Sequence, residues 1–275
     1  MSNLSNYINE LKTAEAFSKQ SVVFDEVYRD NAIVHYKRRR VREHVLKMLP
    51  PGSSILELNC GTGEDAMFFA QNGYCVHATD VSEGMLQRMA EKLERFPFRD
   101  RITQEVCSFN QLEALVDKGP YDLIFSNFGG LNCTSDLHKV LTSFDSLVKP
   151  GGRVTLVIIS KFCLWESLLL LKGQWKTAMR RFFSKNGRKA HIEGVHFKCW
   201  YYHPDFVIKQ LREKFRLLSV EGLCSLVPPS YLEGFAEKHP KLYRFLVGQE
   251  EQRKSAWPWR NIGDYFIISL QKERL

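Results

Sequence analysis

Short apolar runs alternate with amphipathic stretches between residues 54 and 159. The runs are rich in Ile, Leu, Val and Phe, which is typical of strands buried on both faces of a parallel sheet. Because parallel strands need crossovers, and crossovers are right-handed, the pattern predicts a doubly wound α/β sheet. The strands are predicted over 54–58, 74–79, 102–107, 121–126 and 153–159, and the helices over 62–71, 82–95 and 136–148.

The chain on either side of this alternating region follows other patterns. Residues 1–49 have a loose helical period that ends at Pro50-Pro51-Gly52, so they predict N-terminal helices. Residues 161–203 form an insert in which basic and aromatic residues mix. A helix and two strands then return to the sheet, and they are predicted over 204–214, 215–220 and 264–270.

The amino-acid composition excludes several classes of protein but does not identify a substrate or binding partner. With 44% hydrophobic and 25% charged residues among 275, a disordered or collagen-like chain is excluded. No apolar run reaches the roughly 18 residues of a membrane span, and residues 1–7 lack the features of a secretory signal. The seven scattered cysteines form no CxxC pair, so we expect reduced thiols, no metal and a cytoplasmic protein. The net charge of +8 suits an acidic substrate, a nucleic acid or an anionic membrane.

A glycine-rich turn follows the first predicted strand, and an acidic residue ends the second. Gly61 and Gly63 allow the backbone to approach a ligand closely at the start of a helix. Asn59 occupies a position where a third glycine would be convenient, and asparagine tolerates left-handed backbone geometry. The carboxylate of Asp80 can accept hydrogen bonds from both hydroxyls of a ribose. Together these residues predict an adenosine site at the carboxyl edge of the sheet.

Two adenosine-containing ligands fit this turn. The stretch from Gly61 to Ala66 satisfies the dinucleotide pattern GxGxxA, so an NAD-binding oxidoreductase is one alternative. Glu57 and Asp65 place two carboxylates around the turn, which suits the cationic sulfonium and ammonium groups of S-adenosylmethionine better than a pyrophosphate. We therefore favour S-adenosylmethionine as the cofactor.

Four motifs in register resemble those of class I S-adenosylmethionine-dependent methyltransferases of the small-molecule type. They are Glu57-Leu-Asn-Cys-Gly-Thr-Gly63, Ala78-Thr-Asp80-Val-Ser-Glu-Gly-Met85, Tyr121-Asp-Leu-Ile-Phe-Ser-Asn127 and Leu147-Val-Lys-Pro-Gly-Gly-Arg153. The resemblance implies a Rossmann-like, seven-stranded sheet whose last strand is antiparallel. It further implies a single domain over 1–275, with an N-terminal helical lid (1–49), a cofactor-binding core (50–160), a cap insert (161–203) and the C-terminal part of the sheet (204–275).

The resemblance also implies roles for individual residues around the cofactor. Those expected at the methionine part are Glu57, Asn59, Cys60, Gly61 and Gly63. Asp80 is expected at the ribose, Val81, Met85, Ser108 and Phe109 at the adenine, and Asn127 and Phe128 under the methyl group. Phe24 and Tyr28 are expected to close over the cofactor from the lid. Asn59 departs from the family's usual first glycine, and Ser108 stands where an aspartate commonly meets the adenine amino group.

The insert at 161–203 is the most distinctive feature of the acceptor side. Glu193 is the only acidic residue between Lys172 and Lys198, where basic and apolar residues interleave. We expect a helical cap with one apolar and one basic face. This cap could cover an apolar acceptor with an acidic group, make peripheral contact with an anionic membrane, or pack on the sheet with its charges in water.

The predicted activity is methyl transfer to an oxygen or nitrogen of a small molecule. Weak candidates for a general base are His191, His196 and Tyr201, at the far end of the insert. A nucleic-acid methyltransferase is the alternative, but the segment Ser126-Asn-Phe-Gly-Gly130 lacks the Asn/Asp-Pro-Pro-aromatic signature of many base-amino methyltransferases. A third possibility is a protein that binds the cofactor and serves only as a partner subunit. The basic run at 37–42 is interpreted as a solvated helix face from which one arginine could reach the methionine carboxylate.

Overall fold

The computed structural model describes residues 2–274, in which nine strands form a seven-stranded sheet and a separate hairpin. In chain order the strands are β1 (Ser54–Leu58), β2 (Cys75–Asp80), β3 (Ile102–Val106), β4 (Tyr121–Ser126), β5 (Val148–Ile159), β6 (Arg188–Ile192), β7 (Val195–Cys199), β8 (Phe215–Leu223) and β9 (Tyr265–Lys272).

Helices cover both faces of the sheet and build the N-terminal segment. Within residues 2–274 they are α1 (Ser2–Gln20), α2 (Phe24–Arg29), α3 (Ala32–Met48), α4 (Glu64–Gln71), α5 (Glu83–Leu93), α6 (Leu137–Leu147), α7 (Leu164–Leu168), α8 (Trp175–Ala178), α9 (Pro204–Leu211), α10 (Phe235–Lys238) and α11 (Pro240–Arg253). None of these helices has both the length and the apolar character needed to cross a bilayer. The side chain of Ser82 accepts a hydrogen bond from the Met85 amide at 3.2 Å, so it caps α5 as predicted.

The sheet has the strand order β3-β2-β1-β4-β5-β9-β8. The first five strands in this order pair in parallel, whereas β9 lies antiparallel between β5 and β8. The prediction of a seven-stranded sheet with an antiparallel last strand is therefore confirmed. The strand order reverses between β1 and β4, and parallel sheets bind ligands in the crevice that this reversal leaves at their carboxyl ends.

Alternating side chains of the central strands supply two apolar layers. Ile55 and Phe125 face one layer with α3, α4 and α5, while Leu56 and Ile124 face the other with α6 and α9. All four side chains are fully buried. Burial on both faces explains why these strands are continuous apolar runs in the sequence, and it gives the strand ends a rigid base.

The basic run on α3 is only in part the solvated face that the sequence predicts, since Arg39 is exposed but two other members of the run are buried. Lys37 is 4% exposed and Arg40 is 3% exposed. The Arg40 guanidinium lies 3.1 Å from Glu221 and 3.6 Å from Glu250, both of which are buried. Arg40 can be buried because the carboxylates of Glu221 in β8 and Glu250 in α11 neutralise its charge. These partners lie about 180 and 210 residues further along the chain, so the local sequence pattern cannot predict them.

The helical cap predicted for residues 161–203 is only half right. Residues 164–178 contain α7 and α8, but residues 188–199 form the hairpin β6–β7, closed by Glu193-Gly194 with both residues at positive φ. Val195 and Phe197 are buried with Ala16 of α1, while His196 and Lys198 point to the surface. This alternation with period two is the strand signal that the basic and aromatic composition obscured.

Asn31 caps the N-terminus of α3, and substitution of this residue tests where the helix begins. The Asn31 side chain accepts hydrogen bonds from the amides of Ile33 (3.0 Å) and Val34 (3.1 Å). We expect Asn31→Ala to lower the free energy of unfolding by about 1 kcal/mol, because two helix N–H groups lose their acceptor. Asn31→Ser keeps a capping oxygen and is the control. Equal urea midpoints for the two variants would contradict the capping role.

Candidate functional site

The turn between β1 and α4 leaves one face of its backbone open. Asn59, Gly61 and Gly63 all have positive φ, at 49°, 58° and 78°. A Cβ added to Gly63 would lie 2.6 Å from Met89, so this glycine is required for packing on α5. A Cβ added to Gly61 would meet nothing within 4 Å. The space over Gly61 is therefore available to a ligand.

Asp80 at the end of β2 holds the turn in place. Its Oδ2 accepts a hydrogen bond from the Gly61 amide at 2.9 Å, and its Oδ1 accepts one from the Ser82 amide at 2.9 Å. Burial raises the pKa of Asp80, and the amide hydrogen bonds from Ser82 and Gly61 partly offset that rise. These amides do not use the whole acceptor capacity of the carboxylate, so it can accept from a further donor.

Asn59 links the turn to the loop after β4. Its Nδ2 donates to the Asn127 carbonyl oxygen at 2.9 Å, and its Oδ1 accepts from the Ser126 hydroxyl at 2.6 Å. A Cβ at Gly130 would lie 2.3 Å from the Asn59 side chain, so this glycine makes room for it. The asparagine thus replaces a glycine without blocking the turn, because its amide is used by the neighbouring loop.

Two further carboxyl groups lie beside Asp80. Asp65 receives hydrogen bonds from Arg42 Nε and Asn127 Nδ2, both at 2.6 Å. Glu57 is only 2% exposed, and its Oε2 has no hydrogen-bond partner within the described residues. Burial raises the pKa of Glu57 well above its ordinary value, and the charges of Asp65 and Asp80 raise it further. A buried carboxyl with a free oxygen is a site for a cationic group.

These groups line a cavity of about 160 Å³ at the carboxyl edge of the sheet. Most of the sequence-predicted site residues meet there, namely Phe24, Glu57, Asn59, Cys60, Gly61, Asp80, Val81, Met85, Phe109, Asn127 and Phe128. Three others do not line it. Tyr28 packs against Phe24, Gly63 packs against Met89, and Ser108 caps a 3₁₀ turn by accepting from the Asn110 amide.

Other residues line the cavity although they are not among the expected cofactor-binding residues. They are Thr13, Phe17, Arg38, Thr62, Glu64, Asp65, Gly129, Gly130 and Cys133. Asp65 is one of the two carboxylates that the sequence places around the turn, and Arg38 belongs to the basic run from which one arginine could reach the methionine carboxylate. Thr13 and Phe17 belong to α1. Nothing in the sequence indicates that this helix packs beside the glycine-rich turn.

The N-terminal segment is held over the glycine turn by polar contacts. Asp25 of α2 accepts from the Thr62 hydroxyl at 2.6 Å and from Lys92 Nζ at 3.0 Å. Lys92 also donates to Glu64 at 2.6 Å. We call the set of Asp25, Thr62, Glu64 and Lys92 the lid latch. Because ligand sites usually enclose about 300 Å³ or more, we expect α2 to move outward when a cofactor enters.

The three candidates for a general base lie outside the cavity. His191 and His196 are exposed on the hairpin with ring centroids 4.6 Å apart, and the Tyr201 ring lies 5.2 Å from the Arg181 guanidinium. Among the described residues that line the cavity, none is a histidine, lysine or tyrosine. Among the described lining residues, the groups that could act as a general base are therefore carboxylates.

One buried cluster has the residue types of a metal site. Cys163, Glu166 and Asp264 bring possible ligand atoms close together. However, Arg181 Nη2 donates to Glu166 and to Asp264, both at 2.6 Å. The guanidinium occupies the place of a cation, and the cluster fastens the insert to the sheet.

Comparison with known proteins identifies the domain that surrounds the turn. A family profile described as Methyltransferase domain matches residues 55–152, which include the glycine turn, Asp80 and the loop after β4. The S-adenosyl-L-methionine-dependent Diels-Alderase iccD of Talaromyces variabilis is 30% identical over 126 residues, covering 45% of this chain and 42% of that protein. The demethylmenaquinone methyltransferase of Lactococcus lactis is 30% identical over 156 residues, covering 54% of this chain and 59% of that protein. The chain thus spans about half the length of these curated relatives.

A solved structure extends the likeness of the fold to almost the whole chain. The 1,6-didemethyltoxoflavin-N1-methyltransferase of Burkholderia thailandensis, solved with 1,6-didemethyltoxoflavin and S-adenosylhomocysteine, superposes with a TM-score of 0.56. It is 15% identical and covers 96% of this chain and 88% of its own. Such a likeness shows a shared fold. Residues 55–152 thus match a methyltransferase domain, and they lie in a fold that the chain shares with a methyltransferase solved with S-adenosylhomocysteine.

Proposed function

We propose that the protein transfers the methyl group of S-adenosylmethionine to an oxygen or nitrogen of a small molecule. The observation that carries this proposal is the buried Glu57 carboxyl, whose Oε2 has no partner among the described residues, in a side chain that lines a cavity together with Asp65 and Asp80. The wall carries four carboxyl groups, with Glu64 the fourth, against one guanidinium, that of Arg38, and this balance favours a ligand that brings positive charge. It opposes NAD, whose pyrophosphate is anionic.

The residues present fit the cofactor in each of its parts. Asp80 would accept from the ribose hydroxyls, and Val81, Met85 and Phe109 would enclose the adenine. Glu57 would bind the ammonium group. Arg38 lines the same cavity and would bind the carboxylate, although it shares its charge with Glu64 at 3.6 Å. The open space over Gly61 leaves room for the amino-acid end.

The sulfonium supplies an electrophilic methyl group when the cofactor is bound. The residues of this chain would align the acceptor with that carbon and exclude water from the cavity. The described lining contains no histidine, lysine or tyrosine. Its carboxyl groups are assigned to the cofactor (Glu57, Asp80) or paired with cations (Glu64, Asp65), so the acceptor atom should be nucleophilic without a side-chain base. An unprotonated amine or the oxygen of an acidic hydroxyl meets this requirement.

The acceptor half of the cavity is apolar, and a buried cation lies behind it. Phe17, Phe128 and Cys133 line this half. Lys37 Nζ lies 5.1 Å from the Phe128 ring centroid and 4.8 Å from that of Tyr265. Its hydrogen-bond partner is the Ser230 hydroxyl, and no described carboxylate lies within ion-pair distance. These contacts support an aromatic acceptor with an acidic group, which would complement the uncompensated charge.

Loosening the lid latch should speed release of the cofactor product. Lys92→Met removes the cation that joins Asp25 to Glu64. We expect S-adenosylhomocysteine to dissociate several-fold faster in stopped-flow displacement, because a partly exposed ion pair is worth about 0.5–1 kcal/mol. Arg88→Met, on the same helix and in an exposed pair with Glu91, is the control. An unchanged dissociation rate for Lys92→Met would contradict the latch.

Turnover tests the proposed function directly. Purified protein is incubated with S-adenosylmethionine and a panel of aromatic amines, phenols and hydroquinones, with and without an acidic substituent. Mass spectrometry then follows S-adenosylhomocysteine and the methylated product together. Equal formation of both from at least one acceptor is the expected result. Release of S-adenosylhomocysteine that does not depend on any acceptor across a broad panel would count against the proposal.

A second candidate function is a cyclisation that uses the cofactor without consuming it. It is favoured by one observation, the 30% identity over 126 residues to a protein named as an S-adenosyl-L-methionine-dependent Diels-Alderase. The apolar acceptor half of the cavity and the lack of a histidine, lysine or tyrosine in the described lining are compatible with this reaction class. Cofactor that binds tightly, remains chemically intact and accelerates ring closure of a diene–dienophile substrate would support the second candidate over the first.

A further inference from the structure

The insert exposes large apolar side chains over one short segment. Leu171 is 85% exposed, Trp175 is 66% exposed and Phe183 is 67% exposed. Leu168 and Phe182 in the same segment are also exposed. We call these five residues the insert patch. Single exposed hydrophobic residues need no explanation, but several within residues 168–183, where the short helices of the segment contact one another, are suited to an interaction surface.

The charges around the insert patch have one sign. Lys176, Lys185 and Lys189 are exposed, and none forms an ion pair with a described carboxylate. The acid within the segment, Glu166, is buried and is neutralised by Arg180 and Arg181. Glu193 is at the tip of the hairpin, beyond these lysines. The surface therefore presents uncompensated positive charge beside exposed apolar side chains.

The segment is firmly attached at the edge of the sheet where the cavity lies. Arg181 Nη1 donates to the carbonyl oxygens of Ser160 and Asp264, both at 2.9 Å, at the end of β5 and before the start of β9. Trp165 Nε1 donates to the Leu226 carbonyl oxygen at 3.2 Å. The insert patch thus keeps a fixed position relative to the site.

We propose that the insert patch docks the protein on the surface of an anionic phospholipid bilayer. Trp175 and Phe183 are suited to the boundary between head groups and acyl chains, and Lys176 and Lys185 to lipid phosphates. A second copy of the chain is a poorer occupant, because a two-fold interface would place like charges opposite one another. RNA is also poorer, because bases stack on aromatic rings and not on Leu168 or Leu171.

Vesicle flotation tests this proposal with the full chain. Vesicles of equal parts phosphatidylglycerol and phosphatidylcholine should carry the protein upward, and vesicles of pure phosphatidylcholine should carry much less. Leu171→Ser/Trp175→Ser and Lys176→Glu/Lys185→Glu should each reduce the bound fraction about tenfold or more, since both apolar insertion and charge contribute. Binding should weaken as salt rises.

Matched variants outside the insert separate a specific surface from general stickiness. Trp257 is 76% exposed and Lys241 is exposed, so Trp257→Ser and Lys241→Glu remove the same residue types elsewhere. These controls should float like the unaltered protein. All variants should keep the same affinity for S-adenosylhomocysteine, so failure of docking is distinguishable from failure of the proposed function.

Three outcomes would overturn the proposal. The first is equal flotation with neutral and anionic vesicles, or none with either. The second is a dimer in sedimentation velocity that Trp175→Ser dissociates, with no lipid binding. The third is RNA binding that the lysine variant abolishes while vesicle binding stays unchanged.

Discussion

Replacing Asp80 by alanine should weaken binding of S-adenosylhomocysteine by roughly a hundredfold to a thousandfold. Asp80 ends β2 beside the open face of Gly61, where its carboxylate can accept from both ribose hydroxyls. The variant loses two charge-assisted hydrogen bonds, and at about 1.5–2 kcal/mol each, the lower part of their usual range, they account for this change. The same variant frees the Gly61 and Ser82 amides, so the turn also loses its support. Isothermal titration measures the change.

Asp122→Asn is the matched control for this variant. Asp122 also accepts from a backbone amide of a neighbouring strand, that of Ser54 at 2.8 Å, but at the opposite end of the sheet. Its pairing with Lys149 makes the control costly for stability, yet it should leave the dissociation constant unchanged. If Asp80→Ala bound S-adenosylhomocysteine within about threefold of the unaltered protein, its role at the ribose would be wrong.

Replacing Glu57 by glutamine should have opposite effects on stability and on binding. The change replaces a buried carboxyl whose ionisation is opposed by burial and by Asp65 and Asp80. At neutral pH the free protein should become more stable by about 1–2 kcal/mol, because glutamate ionised in the unfolded chain must either take up a proton on folding or carry an uncompensated charge inside the protein. Affinity for S-adenosylmethionine should fall about tenfold to a hundredfold, because the ammonium loses its counter-charge.

The stability effect should depend on pH in one direction. The folded protein holds the pKa of Glu57 well above its ordinary value of 4.5, mainly through burial. Protonated Glu57 therefore contributes stability at acid pH, and this contribution is lost as pH rises through the raised pKa. The melting temperatures of the two proteins should coincide below about pH 4.5 and diverge above it, with the glutamine variant higher. A glutamine variant that melts lower at pH 8 would contradict this view of the site.

Much of the architecture could be predicted because local pattern dictates it. Strands such as Ile55–Leu58 and Leu123–Phe125 are buried on both faces, and they appear in the sequence as apolar runs. The turn was predictable because the backbone at Gly61 and Gly63 needs residues that tolerate positive φ. Asn59 fits the same rule at φ 49°.

What could not be predicted depends on contacts between distant segments. Arg40 is buried because Glu221 and Glu250 reach it from β8 and α11. Asp25 meets Lys92 across the lid latch, and nothing in either local sequence marks the partner. The hairpin at 188–199 was missed for a different reason, since basic and aromatic residues masked a simple alternation of buried and exposed positions.

The candidate site likewise contains residues that the local sequence predicts and residues that distant segments contribute. Residues on strand ends and their loops, such as Glu57, Asp80 and Asn127, line the cavity as the motifs predict. The rest of the lining includes Thr13 and Phe17 of α1 and Cys133 from the segment after β4. Their positions depend on how α1 packs against α5 and the hairpin, and the candidate bases His191 and His196 lie outside the cavity because the hairpin turns them outward.

Competitive titration at neutral pH tests the central claim most directly. The unaltered protein is titrated with S-adenosylhomocysteine and, in a separate experiment, with NAD. A cavity that presents Glu57, Asp65 and Asp80 should bind S-adenosylhomocysteine at micromolar concentration or tighter, and NAD should neither bind nor displace it. Binding of NAD with no binding of S-adenosylhomocysteine would contradict the account.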